Sequence, residues 1–378
     1  MEDGLFLDGG RRAFLKGCVF AGGAFALDAF ASAPLGSGGS YSVSVLGDTH
    51  YDAEPASVYH ANYKSSNPAQ DPRVAEFQRN GEMWRDRCRR LLASSVELSK
   101  RRGSSMVLQL GDLIQGDCED LEVHKKMLAD CIAFFKSHYP ENLPFLSVVG
   151  NHDYRGKYGE EAYHGFMEPY LGRLLKKQVK YPVISFRKGP DLWVFCHFRT
   201  RDMDALCDEI EKAGDVRYVF LATHGPFTFS DTRSWRWRLA GDVGSEAGRS
   251  RLYELLSRKR AIVLSGHTHT VVHWRHENKF GSYSEFTANT VWAREEQATA
   301  EPIHSKPEEY GSYRLGKITN KKEIDSYTKE IGFFRPGVKE YFYSHAAGHY
   351  LMTVKDSGVE MEFYPGASLE NPRKFKLS

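Results

Sequence analysis

The sequence predicts an α/β protein in which parallel strands alternate with helices, and two patterns support this prediction. Short apolar runs rich in Val, Ile and Leu recur along the chain, and each leads into a segment of Gly, Asp, Asn or His residues. Stretches with helical spacing of apolar residues separate these runs. Alternation of the two element types favours parallel strand pairing with right-handed crossover connections.

The apolar runs have the length and composition of strands that are buried on both faces. They cover Tyr41–Leu46, residues 106–110, 145–149 and 216–222, and Ile262–Ser265. Because each run ends in polar residues, the polar side chains cluster at the carboxyl ends of the predicted strands. Ligands of such sheets bind beyond those ends.

Helical periodicity is clearest where apolar residues follow the spacing i, i+3, i+4, i+7 before a glycine that can end the helix. These residues are Met203, Leu206, Cys207 and Ile210, with Gly214 as the C-cap. Leu252, Leu255 and Leu256 indicate a second helix, and residues 121–135 a third. The predicted helices lie between the predicted strands, as crossover connections require.

The composition is that of an ordinary globular protein. The chain has 378 residues, 41% hydrophobic and 26% charged, which excludes a minimal module and a disordered chain. The net charge of +2 gives no broad attraction to nucleic acid or to a membrane surface, so an anion must be bound locally. Six cysteines without C-x-x-C spacing predict buried free thiols rather than a disulfide scaffold.

Residues 1–33 are interpreted as an export signal. Arg11 and Arg12 precede Phe-Leu-Lys and a short apolar stretch, a pattern that resembles the twin-arginine signal. The uninterrupted apolar run of residues 18–27 is about half of the roughly 20 residues needed to span a bilayer, and residues 29–31 offer a cleavage site. We therefore expect the twin-arginine export machinery as a partner, a periplasmic or extracellular location, and no stable membrane anchor after cleavage.

The polar segments contain side chains that bind metal ions. Asp48 and His50 are two residues apart, as are His267 and His269, so an extended backbone projects both members of each pair to one side. Asp112, Asn151 and His224 follow other predicted strands. These seven candidates exceed the needs of one tetrahedral ion and favour two ions. Nitrogen and oxygen ligands without thiolate suit Zn²⁺, Mn²⁺ or iron.

Five motifs in this order resemble the calcineurin-like metallophosphoesterase superfamily. They are D-x-H at 48–50, G-D at 111–112, G-N-H-D at 150–153, an isolated His224 after a strand, and G-H-x-H at 266–269. The resemblance implies two packed mixed β-sheets flanked by helices, in a four-layer α/β/β/α fold. The core is expected over residues 40–280, with 281–378 completing it or forming a cap.

The resemblance also implies roles for individual residues. Asp48, His50 and His269 hold the first metal, Asp112 bridges, and Asn151, His224 and His267 hold the second, the ions being divalent or of mixed valence. His152 matches the catalytic histidine, and Asp153 orients it or supports the loop. The implied reaction is hydrolysis of a phosphomonoester or phosphodiester by attack of a metal-bound hydroxide.

A small phosphorylated substrate is expected to contact residues beside these loops. Arginine suits phosphate and an indole face suits a ring, so the predicted contacts are Arg155, Arg233, Trp235 and Arg236. Three alternatives remain open: an inactive metal- or phosphate-binding module, a nuclease-like phosphodiesterase, and hydrolysis of a neutral ester or amide. The small net charge and the export signal count against nucleic acid as a partner.

Overall fold

The computed structural model describes residues 39–53, 56–199, 203–239, 246–313 and 320–378. The predicted export signal, residues 1–33, lies outside the described residues. In the described part of the chain, no helix is both long and apolar enough to cross a membrane.

The strands form two mixed sheets, as predicted. In chain order they are β1 Tyr41–Leu46, β2 Met106–Gln109, β3 Phe145–Ser147, β4 Val183–Lys188, β5 Asp191–Cys196, β6 Val219–Thr223, β7 Ile262–Ser265, β8 Val271–Asn278, β9 Gly281–Thr287, β10 Val338–Ser344, β11 Gly348–Lys355, β12 Gly358–Pro365 and β13 Arg373–Lys376. The first sheet has the order β13-β12-β11-β1-β2-β3 and the second β10-β8-β9-β7-β6-β5-β4.

Each sheet has a parallel centre and antiparallel strands toward its edges. Strands β1, β2 and β3 are parallel in the first sheet, and β5, β6, β7 and β9 in the second. Strand β10 joins the second sheet, and β11 to β13 join the first. The segment 281–378 therefore contributes strands to both sheets.

The helices flank the sheets. They are α1 Ala56–Tyr59, α2 Pro72–Met83, α3 Arg89–Arg102, α4 Leu121–His138, α5 Gly159–Leu175, α6 Met203–Lys212, α7 Thr232–Arg236, α8 Glu246–Arg258 and α9 Lys321–Phe334, with a π-helical turn, Trp84–Cys88, between α2 and α3. Each predicted helix is present, and Asp120 caps α4 by accepting from two backbone N–H groups of its first turn.

Packing explains why strands β6 and β7 are mainly apolar. In β6 and β7, alternate residues enter different cores: Phe220 and Leu264 lie in the core shared with the first sheet, whereas Leu221 packs with the helices on the other face. Phe286 of the second sheet contacts Tyr350 of the first, with ring centroids 5.5 Å apart. The order of layers is helix, sheet, sheet, helix, as predicted.

Candidate metal centre

The seven predicted metal ligands lie in loops that follow the parallel strands of both sheets. Asp48 and His50 follow β1, Asp112 follows β2 and Asn151 follows β3. From the second sheet, His224 follows β6, and His267 and His269 follow β7. Because the carboxyl ends of these strands share one edge of the molecule, residues up to 221 positions apart in the sequence come together.

One group of potential ligands contains Asp48, His50 and His269. The Nε2 atoms of His50 and His269 are 3.3 Å apart, and Nε2 of His269 is 3.8 Å from Oδ1 of Asp48. All three side chains therefore present a ligand atom to the same small volume.

A second group contains Asn151, His224 and His267. Nε2 of His224 is 3.2 Å from Oδ1 of Asn151 and 3.0 Å from Nδ1 of His267. The Nδ1 atom of His224 lies 2.8 Å from the carbonyl oxygen of Leu110. If Nδ1 donates its proton to that carbonyl, Nε2 keeps a lone pair for a metal ion.

Asp112 stands between the two groups. Its Oδ2 atom is 3.8 Å from Nε2 of His50, and its Oδ1 atom is 3.2 Å from Nε2 of His224. One carboxylate thus presents a different oxygen to each group, which is the arrangement that a bridging ligand needs.

The electrostatics of this buried cluster suit a cation. Burial raises the pKa of Asp48 to about 7 and lowers the pKa of His50, His267 and His269. Burial alone would lower the pKa of His224, but Asp112 and Asp48 raise it to about 9. Buried carboxylates beside three imidazoles whose lowered pKa favours the neutral form are the chemistry of a metal site, and the raised pKa of His224 shows that this pocket favours positive charge next to Asp112.

Unsatisfied atoms and backbone strain support the same interpretation. Among the described residues, Nδ1 of His50 and Nε2 of His267 are buried without a hydrogen-bond partner. His50, Asp112, His267 and His269 have φ values of 43°, 52°, 69° and 53°, in the left-handed region that few residues other than glycine adopt. Strain of this kind costs about 1–3 kcal/mol per residue and concentrates at functional sites. The residues present therefore fit a bound metal.

Two glycines of the motifs allow the loops to approach each other. A Cβ atom on Gly150 would lie 2.0 Å from the backbone nitrogen of Asp112. A Cβ atom on Gly111, whose φ is +85°, would lie 2.5 Å from Nδ1 of His224. The glycines of G-D and G-N-H-D are thus required for the packing of the ligand loops.

His152 is not one of the seven predicted ligands, but the structure brings it close enough to His50 and Asp112 to form a further group of potential ligands with them. Its backbone N–H donates to Oδ1 of Asp112 at 2.7 Å, and its ring centroid is 4.3 Å from that of His50. Nδ1 of His152 is 3.0 Å from the carbonyl oxygen of Gln115. If Nδ1 donates its proton to that carbonyl, Nε2 is left to exchange a proton with a substrate.

Asp153 supports the loops rather than orienting the His152 ring. Its carboxylate accepts from the backbone N–H groups of Gly150 at 2.7 Å and Ile114 at 3.1 Å. Burial raises its pKa to about 8. Of the two roles predicted for Asp153, the geometry favours loop support.

Two of the predicted substrate contacts lie next to the metal centre. Nη2 of Arg233 donates to the carbonyl oxygen of His267 at 3.3 Å. Nη1 of Arg155 is 3.0 Å from Nδ1 of His152 and donates to Glu76 at 2.7 Å. Both guanidinium groups therefore flank the cluster.

The other two residues predicted to contact the substrate face helix α9. The indole nitrogen of Trp235 donates to Glu330 at 3.1 Å, and the side chain is buried. Arg236 pairs with Glu323 at 2.9 Å on the surface. Trp235 lies two residues after Arg233 on helix α7, which Asp231 caps, so helical geometry turns its indole away from the face of residue 233. Arg236, three residues after Arg233, is instead held by its ion pair with Glu323.

Two residues near the site were missed. Oε1 of Glu76, on α2, is 3.8 Å from Nε2 of His152. The ring of Trp237 is 4.9 Å from that of His267. Glu76 belongs to no motif, and only tertiary structure brings it to the site. Trp237 lies two residues beyond Trp235, the tryptophan that was predicted to contact the substrate.

Comparison with known proteins gives one family match. Residues 41–271 match the family model described as calcineurin-like phosphoesterase. No curated protein matches the sequence.

Several solved structures are similar at low sequence identity. A dimetal phosphatase from Danio rerio is 11% identical with a TM-score of 0.48, over 89% of this chain and 99% of that chain. A structure described as PhoD is 11% identical with a TM-score of 0.47, over 91% and 70%. GAP50, the anchor in the inner membrane complex of Plasmodium, is 12% identical with a TM-score of 0.45, over 90% and 89%.

Proposed function

The chain belongs to the calcineurin-like phosphoesterase family and is a metal-dependent phosphoester hydrolase, and on that premise we propose that it is an exported enzyme with two metal ions that cleaves a small phosphomonoester or phosphodiester. The observation that carries this proposal is the position of Asp112. Its two oxygens face different histidines, at 3.8 and 3.2 Å.

Two ions account for the donor set better than one. Asp48, His50 and His269 form one group of potential ligands, and His224 and His267 form another with Asp112. Asn151 adds a donor to the second group, 3.2 Å from His224. Nitrogen and oxygen donors without a thiolate favour Zn²⁺, Mn²⁺ or iron, including a mixed-valence pair. Metal ions bound here would lower the pKa of a water molecule and offset charge on phosphoryl oxygens.

The surrounding side chains supply the rest of the reaction. Because Nδ1 of His152 contacts the Gln115 carbonyl oxygen, Nε2 is the ring nitrogen left to act on a substrate. When Nε2 is protonated, His152 donates that proton to the leaving oxygen. Arg155, which follows the G-N-H-D motif, and Arg233, on helix α7, flank the cluster from different segments, and guanidinium groups bind phosphoryl oxygens in a forked geometry. Asp153 holds the loops of Asp112 and Asn151 together through two backbone N–H groups.

Export is proposed from the sequence of residues 1–33, with the twin-arginine machinery as partner and the periplasm or the extracellular space as destination. Replacing Arg11 and Arg12 by Lys removes the paired guanidinium groups while keeping the charge. Cell fractionation of the two forms should find the unchanged chain exported and the variant retained; export of both would contradict the twin-arginine assignment.

Hydrolysis of two related substrates tests the catalytic proposal. The protein is loaded with Mn²⁺, Zn²⁺ or iron and assayed on p-nitrophenyl phosphate and on bis-p-nitrophenyl phosphate, with a chelator as the control. Turnover that the chelator abolishes supports the proposal, and the preferred ester distinguishes monoesterase from diesterase activity. Metal-loaded protein that cleaves neither ester but binds phosphate would instead support a binding module.

A further inference from the structure

Trp237 is an exposed aromatic side chain at the metal centre. It is 54% exposed, whereas the other tryptophans are at most 9% exposed: Trp84, Trp193, Trp235, Trp274 and Trp292. Its ring lies 4.9 Å from the ring of His267 at an interplanar angle of 61°. A large indole surface left open to solvent beside a catalytic site is available for binding a ligand.

The backbone around Trp237 is held against the loop of His224. The N–H of Trp237 donates to the carbonyl oxygen of Ser234 at 3.2 Å, and the N–H of Leu239 donates to that of Pro226 at 2.7 Å. A Cβ atom on Gly225 would lie 2.4 Å from the carbonyl oxygen of Trp237. The indole is thus carried by a segment packed directly on the residue that follows His224.

Charge and aromatic surface are arranged side by side here. Arg233, four residues before Trp237, donates to the carbonyl oxygen of His267 at 3.3 Å, so a cation and an indole face flank the same histidine. The half-buried ring of Phe198 lies 6.3 Å from that of His224. A phosphoryl group held by the metal ions and by Arg233 would place the organic part of an ester next to Trp237.

We propose that Trp237 is a stacking platform for a planar leaving group, so that the enzyme prefers phosphoesters whose alcohol carries an aromatic ring. The inference rests on the proposed phosphoesterase function, whose metal centre positions the phosphoryl group. Stacking on a preorganised indole is compatible with many ring systems, because each presents a π face.

Binding of two phosphonates that cannot be hydrolysed tests the inference without relying on turnover. Phenylphosphonate and methylphosphonate share the anionic group and differ in the ring. Calorimetric titration of the metal-loaded protein should show about tenfold tighter binding of phenylphosphonate. In Trp237→Ala this preference should fall to about twofold, and Trp237→Phe should retain most of it.

Phe333→Ala is the matched control, because Phe333 is an aromatic side chain 61% exposed elsewhere on the surface, on α9. It should leave the preference unchanged, and thermal melting establishes that each variant is folded. Equal binding of the two phosphonates by the unmodified protein, or a preference that survives in Trp237→Ala, would overturn the inference while leaving the proposed function intact. Metal-loaded protein that binds neither phosphonate would contradict the phosphate site itself, and the inference would fail with it.

Discussion

The backbone N–H of His267 donates to both carboxylate oxygens of Asp48, at 3.0 and 2.9 Å. Asp48 follows the first strand of one sheet and His267 follows a strand of the other. This contact joins the two sheets at the edge where the ligand loops meet. The metal centre therefore forms where the two sheets pack together, and neither sheet alone supplies all of its ligands.

Replacing His152 should separate catalysis from metal binding. We expect His152→Ala to keep its metal content and to lose about 10²- to 10⁴-fold in kcat, the usual effect of removing a general acid or base. Elemental analysis and steady-state kinetics measure the two quantities. His138→Ala is the control and should leave kcat unchanged, because His138 lies at the end of α4, where its ring contacts the Phe134 carbonyl. Retained activity in His152→Ala would remove His152 from the mechanism.

The two arginines of helix α7 should differ in their effect on phosphate binding. Arg233→Ala should weaken inhibition by inorganic phosphate about tenfold, because Arg233 flanks His267, and a charge-assisted contact is stronger than a neutral one. Arg236→Ala should change it less than twofold, since Arg236 pairs with Glu323 on the surface. Equal effects of the two substitutions would contradict this assignment.

Adding one methyl group at Gly150 should disrupt the ligand loops. Because that carbon would lie 2.0 Å from the nitrogen of Asp112, we expect Gly150→Ala to lower the free energy of unfolding by about 2–3 kcal/mol and to reduce metal content. Urea unfolding checks the first effect. Gly332→Ala on α9 is the control, because a Cβ atom at Gly332 meets nothing within 4 Å. This variant should raise the free energy of unfolding by up to about 1 kcal/mol. A lower free energy of unfolding in both variants would show that the effect is not specific to Gly150.

Stability should depend on pH through Glu285. Its carboxylate accepts from the N–H groups of Phe227 and Thr228 at 2.8 and 3.1 Å, and burial raises its pKa from 4.5 to about 7. A carboxyl whose pKa is raised on folding contributes stability below its unfolded pKa and loses that contribution as the pH rises through its folded pKa.

Glu285→Gln should therefore remove part of the loss in unfolding free energy between about pH 4.5 and 7, by an amount of up to about 3 kcal/mol. Urea unfolding of both proteins over this pH range, in the presence of a chelator, measures this difference. The contributions of the other titratable groups cancel when the two pH profiles are compared. Parallel pH profiles for the two proteins would show that Glu285 does not titrate in this range.

The part of the fold that sets the site was predictable from local pattern. Strands β2, β3, β6 and β7 are mainly apolar runs followed by polar loops, because both of their faces are buried. The C-terminal strands β10 to β13 were not assigned to a sheet, since antiparallel pairing with distant strands leaves no local mark of which sheet a strand joins.

Substrate contacts were less predictable than metal ligands for a similar reason. The ligands follow strands, whose ends meet at one edge, so their positions in the sequence indicate their positions in space. Trp235 and Trp237 lie in one short segment, and the end of helix α7 between them turns one indole inward and leaves the other exposed. Glu76 reaches His152 from a helix that carries no motif.

Metal content of the unmodified protein and of Asp112→Ala tests the central claim most directly. After loading with Mn²⁺, Zn²⁺ or iron and exhaustive dialysis, the unmodified protein should retain about two equivalents, and Asp112→Ala should lose both ions because the carboxylate between them is gone. Unchanged metal content in Asp112→Ala, or a single equivalent in the unmodified protein, would contradict a dinuclear centre bridged by Asp112.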